Sequence, residues 1–77
     1  MKIQILGTGC AQSRQLAEAA RQAAQELRLR FILVEIETLD EIMKFGVRTT
    51  PALAIDGRVR VEGKVPSVAE LKILLQR

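Results

Sequence analysis

Between the runs Leu53-Ala54-Ile55 and Arg58-Val59-Arg60-Val61-Glu62 stands the dipeptide Asp56-Gly57, and no other feature restricts the fold of this chain as much. Asp-Gly accepts the two positive φ angles of a type I′ turn, whose twist matches that of the strands on either side. The C-terminal half therefore holds an antiparallel hairpin. The N-terminal half demands the opposite pairing. Lys2-Ile3-Gln4-Ile5-Leu6 reads as a strand. Gln15 to Arg30 reads as an amphipathic helix, with Leu16, Ala20, Ala23 and Leu27 returning at helical spacing and Arg14, Arg21 and Arg28 on another face. Phe31 to Ile36 is nearly unbroken apolar sequence, which predicts a strand covered on both faces. Strand, helix, strand with a right-handed crossover yields a parallel pair, so the complete sheet is mixed.

Two further helices follow from their start signals. Thr38-Leu39-Asp40-Glu41 has the form of a capping box, predicting a short helix that buries Leu39, Ile42 and Met43 and stops at a left-handed Gly46. Ser67-Val68-Ala69-Glu70, after Pro66, is a second such box and opens a last helix burying Val68, Leu71, Leu74 and Leu75. The order βαβαββα places the chain in the α/β class as one domain over 1–77, a four-stranded mixed sheet with helices on both faces.

A chain of 77 residues buries only about 60 to 65% of its unfolded surface, so it has room for a single modest core. Trp and Tyr are absent and Phe31 and Phe45 are the only aromatics, so that core is aliphatic and stacking on nucleic-acid bases is not expected. The net charge of +3 is spread along the chain without a basic run, which argues against a nucleic-acid partner. No stretch is long enough to span a membrane, and the N-terminal apolar run is short and leads into glycines, so no secretory signal is expected. With one cysteine no intramolecular disulfide can form, and a reducing, cytoplasmic setting is the default expectation.

That one cysteine, Cys10, sits where the first strand passes through Gly7-Thr8-Gly9 into a helix opening Ala11-Gln12-Ser13. A thiol at a helix start faces unpaired backbone N–H groups and the positive end of the helix dipole, both of which favour the thiolate. The alternative, an inert small hydrophobe under the sheet end, is disfavoured by the glycines and polar residues around it. Competing motifs fail. The third glycine of a dinucleotide loop would fall at Gln12, and the arginine of a low-molecular-weight phosphatase loop would fall at Leu16. Without histidine, neither a Cys-His hydrolase nor a protein-only zinc site is expected.

The second informative segment is Arg48-Thr49-Thr50-Pro51-Ala52-Leu53, in which a proline opens a short apolar strand. Taken with Gly9-Cys10-Ala11-Gln12-Ser13 and the order of elements, it makes the chain resemble small thioredoxin-superfamily proteins of the glutaredoxin-like, redox-active disulfide type. The resemblance covers nearly all of the sequence. It implies the strand order second, first, third, fourth, a cis Thr50–Pro51 bond, which the local sequence alone leaves open, and a loop at Thr50 and Pro51 that offers backbone to a bound peptide or glutathione. It also places Gly63 where such proteins have a glycine near a glutathione carboxylate, although a plain turn glycine suits that position equally. One departure is decisive for mechanism: the usual C-x-x-C is here C-x-x-S, with Ser13 at the resolving position. A natural one-thiol protein and a cysteine-to-serine form of a dithiol protein both fit.

The expected function is thus thiol–disulfide exchange, with Cys10 as nucleophile, Ser13 donating a hydrogen bond towards it, and Gly9, Thr50, Pro51 and Gly63 facing substrate. No cofactor or metal is expected, only glutathione as an external thiol. The partners expected are a protein disulfide or a glutathione mixed disulfide as substrate and a reductase or glutathione as electron donor. The chain is expected to be a monomer that can dimerise through Cys10–Cys10 oxidation. Two other classes stay open: a glutathione-assisted iron–sulfur cluster module, and a redox-silent adaptor that binds peptides.

Overall fold

A computed structural model describes residues 1–76 of the chain. The elements are β1 (Lys2–Leu6), α1 (Ala11–Glu26), β2 (Ile32–Ile36), α2 (Leu39–Lys44), β3 (Ala52–Ile55), β4 (Arg58–Glu62) and α3 (Val68–Leu75). β1 runs parallel to β2 and antiparallel to β3, which is antiparallel to β4, giving one mixed sheet in the order β2-β1-β3-β4. The hairpin turns at Asp56 (φ 51°) and Gly57 (φ 88°), both left-handed. The aspartate is tied down there, because its Oδ1 accepts the Lys2 N–H and its own N–H donates to Lys2 O, each at 2.8 Å.

Alternation along β1 divides the core into two. Ile3 and Ile5 point to the face covered by α1 and α3, where they meet Leu16, Ala17, Ala20, Ala23, Leu53, Val61, Leu71 and Leu75. Leu6 points to the opposite face with Ala52 and Ile42 of α2, backed by Ile36, Phe45, Val47 and Val59. Gln4 shares that second face, and its buried Oε1 is satisfied by the Gly57 N–H at 2.8 Å. A bulge opposite Leu53 and Ala54 leaves Arg60 without a pairing partner in β3. Because one extra residue reverses the alternation, Val59 and Val61 face opposite cores although they are two apart.

Several expectations are corrected. The first helix begins at Ala11 and ends at Glu26 rather than running to Arg30. It closes in a Schellman motif: Arg28 takes a left-handed conformation (φ 57°), its N–H reaches Gln25 O and the Leu29 N–H reaches Ala24 O, each at 3.0 Å. β2 is an edge strand rather than one covered on both faces, and Ile32 is 66% exposed. Thr38 is the N-cap of α2 but makes no side-chain capping bond. Of the residues expected to be buried on α2, only Ile42 is; Leu39 and Met43 are 65% and 67% exposed, because six residues offer one side to the sheet. Gly46 does stop the helix with φ 78°. At α3 the capping box forms in both directions, with Ser67 Oγ accepting from Glu70 N and Glu70 Oε1 accepting from Ser67 N, each at 3.2 Å. This helix buries Leu71 and Leu75, with Val68 and Leu74 only partly covered. Among the described residues, no helix is long and apolar enough to cross a membrane.

Candidate functional site

The pairing scheme decides which loops meet. Leu6 pairs with Ile36, with Ala52 and, through Ala52, with the row that ends at Glu62. The loop after β1, the residue after β2, the loop before β3 and the residues after β4 therefore share one end of the sheet. Cys10, Glu37, Thr50-Pro51 and Gly63 all lie at that end.

Cys10 is the N-cap of α1 (φ −75°, ψ 169°) and is exposed. No side chain caps this helix start and no acidic residue lies in its first turn, so the helix's own residues do not offset the positive end of the dipole. Gly9 turns the chain into the helix with φ 80°, and a Cβ on it would stand 3.0 Å from Glu37 Oε1. Glu37, just beyond β2, thus brings a carboxylate beside the cysteine loop.

The Cys10 thiol is held below its ordinary value, first by the Ser13 N–H and then by the Ser13 hydroxyl, with the Gln12 and Cys10 N–H groups adding less and partial desolvation opposing them. Arg14, four residues along the helix, is not among the causes. The Ser13 hydroxyl has one proton and two acceptors in reach. It donates to the Cys10 carbonyl at 2.8 Å while lying close enough to the sulfur to count among the groups that favour the thiolate. The backbone N–H of Ser13 is therefore the principal donor to a thiolate. Ser13 itself is only 2% exposed, packed under Gly7.

Opposite the cysteine loop, the Thr50–Pro51 peptide is cis; Pro51 is buried and Thr50 exposed. Two residues that follow β3 along its neighbour hold this loop. Glu62 Oε2 accepts the N–H of Arg48 at 2.5 Å and of Thr49 at 3.2 Å, and these two donors keep the Glu62 carboxyl below the usual carboxylate range. The Gly63 N–H donates to Pro51 O at 2.8 Å. Gly63 is left-handed (φ 76°), and a Cβ there would lie 2.7 Å from Thr49 Oγ1, so the position admits only glycine without displacing the loop. Its N–H is thereby spent on the protein backbone. Sequence reasoning placed Gly63 at this end but missed Glu62 and Glu37, whose partners lie on other strands.

The arginine stripe of α1 is not a uniform basic face. Arg21 pairs with Glu18 at 2.8 Å, and Arg14, Glu18, Arg21 and Glu35 line one shallow groove of mixed charge. Among the described residues, no group of three or more potential ligands converges on a metal position.

Comparison with known proteins agrees with this architecture. The family described as "Thioredoxin domain" matches residues 1–76. A protein named thioredoxin from Methanothermobacter thermautotrophicus (strain Delta H) is 41% identical over 75 residues, which cover 97% of each chain. A second, also named thioredoxin, from Methanocaldococcus jannaschii, is 39% identical over 70 residues, covering 91% of this chain and 80% of the relative.

Proposed function

The chain belongs to the thioredoxin-domain family, and we propose that it is a thiol–disulfide oxidoreductase whose single nucleophile is Cys10. The observation that carries this reading is an exposed thiol with a lowered pKa, at a helix start with no acidic residue in its first turn, on the same sheet end as the Thr50-Pro51 loop. Attack by the Cys10 thiolate on one sulfur of a substrate disulfide forms a Cys10 mixed disulfide and expels the other sulfur as a thiolate, which takes a proton from solvent. Ser13 cannot attack that mixed disulfide. The cycle then closes through an outside thiol such as glutathione, which attacks the substrate sulfur and expels Cys10 as a thiolate. A lowered thiol pKa makes Cys10 a good leaving group in this second step.

Thr50 supplies exposed backbone for an extended substrate beside the sulfur, and Gly9 removes the side chain that would obstruct its approach. Gly63 acts by shaping the loop rather than by donating to substrate. The working form is a monomer in a reducing compartment such as the cytoplasm, and Cys10–Cys10 dimers arise on oxidation.

The test compares the chain with its Ser13→Cys variant in reducing a small disulfide. The chain as it stands should form one mixed disulfide per molecule and turn over only with added glutathione, whereas Ser13→Cys should turn over with a dithiol reductant. Failure of the unmodified chain to form any mixed disulfide overturns the proposal.

A further inference from the structure

Glu62 does something its sequence position does not suggest. It closes an edge strand, is exposed, and pairs across the sheet with Ala52, the residue after Pro51. Yet its carboxylate oxygen reaches back over the loop before β3 and takes two successive backbone N–H groups, those of Arg48 and Thr49. The next residue, Gly63, binds the same loop at its other end through Pro51 O. Thr50 lies between these anchors and takes part in none of these bonds. A loop without regular secondary structure is thus fixed on both sides of Thr50, an exposed residue.

Resting on the exchange reading above, we propose that Glu62 is a positioning residue: it holds the 48–51 loop in the shape that receives the backbone of a disulfide substrate. Its contribution is to binding rather than to sulfur chemistry. Its carboxylate hydrogen bonds go to Arg48 and Thr49, and it is not among the groups that lower the Cys10 thiol. A loop freed from this bond must be ordered again each time substrate docks, which weakens binding by the cost of that ordering. The carboxylate is needed here as an acceptor, so glutamine, whose amide oxygen accepts in the same place, should replace it, while alanine should not. Aspartate, one methylene shorter, should fail to reach.

The experiment measures single-turnover mixed-disulfide formation with a peptide disulfide of varied concentration, for the unmodified chain, Glu62→Ala, Glu62→Asp and Glu62→Gln. The expected result is a half-saturating peptide concentration raised about tenfold in Glu62→Ala and Glu62→Asp, the scale of one net hydrogen bond. Their maximal rate and their alkylation by iodoacetamide should stay within about twofold of the unmodified chain, and Glu62→Gln should behave like it in all respects. Should Glu62→Ala fold poorly, the Asp and Gln pair carries the same comparison. An unchanged half-saturating concentration, a loss of alkylation rate equal to the loss with peptide, or a Gln variant as impaired as the Ala one overturns the role of Glu62 and leaves Cys10 as nucleophile intact. Absence of mixed disulfide in the unmodified chain instead overturns the exchange reading.

Discussion

Gly7 lies directly over Ser13: a Cβ added to Gly7 would stand 2.6 Å from Ser13 Cβ and 3.3 Å from its Oγ. Both positions are buried, so neither side can move into solvent. This contact sets how closely the first turn of α1 packs on the end of β1, and hence where the N–H groups beneath Cys10 point. Gly7→Ala should therefore destabilise the chain by about 1–3 kcal/mol through overpacking. In Gly7→Ala/Ser13→Gly, where the opposing Cβ is gone, a large part of that loss should return, and urea denaturation of the single and double variants gives the coupling. Equal losses with and without Ser13 Cβ would show that the two sites do not meet.

The lowered thiol pKa makes stability depend on pH in a definite direction. Between the folded value and the ordinary value of 9.0 the unfolded chain binds more protons, so stability rises with pH across that window. The contribution is complete above the ordinary value and lost as pH falls through the folded one. Thermal melting followed up to about pH 10 should show this rise in the unmodified chain and not in Cys10→Ser. In alkylation-rate profiles, Ser13→Ala should move the Cys10 midpoint up only part of the way, because the Ser13 N–H remains. A full return to the ordinary thiol value would assign the effect to the hydroxyl instead.

Arg28 occupies the left-handed position that ends α1, where a Cβ is unfavourable. Arg28→Gly relieves that cost while adding chain entropy to the unfolded state. The net expectation is a gain on the order of 1 kcal/mol or somewhat less. A denaturation midpoint that falls instead would mean the guanidinium or its aliphatic stem contributes packing at this corner.

The two capping-box sequences should respond differently to alanine. Ser67 exchanges bonds with Glu70, so Ser67→Ala should cost about 1 kcal/mol. Thr38 makes no side-chain bond at the start of α2, so Thr38→Ala should cost less than about 0.5 kcal/mol. Chemical denaturation of the two variants side by side settles the comparison, and equal costs would contradict the difference between the two caps.

Features whose cause lies within a few residues were readable in advance. Asp56-Gly57 sets its own turn, Gly46 stops its own helix, Ser67 and Glu70 cap each other, and Cys10 falls at a helix start because Gly9 turns the chain there. The order of these local signals was enough to specify a mixed four-stranded α/β sheet, since a strand–helix–strand unit and a tight hairpin each allow one kind of pairing. What a residue faces across the sheet is a different matter. Ile32 and Val34 read as core residues, yet their strand is at the edge, and a linear pattern does not reveal which strand lacks a neighbour. Val59 and Val61 part company only because the ladder slips at Arg60. Glu62 finds its donors at Arg48 and Thr49 because β3 and β4 bring them alongside after the chain has turned back. Short-range dihedral preferences and helix periodicity thus determined the elements, their order and the place of the sulfur. Sheet order, register and the bonds from side chains to distant backbone were decided only in three dimensions, because each depends on which segments become neighbours on folding.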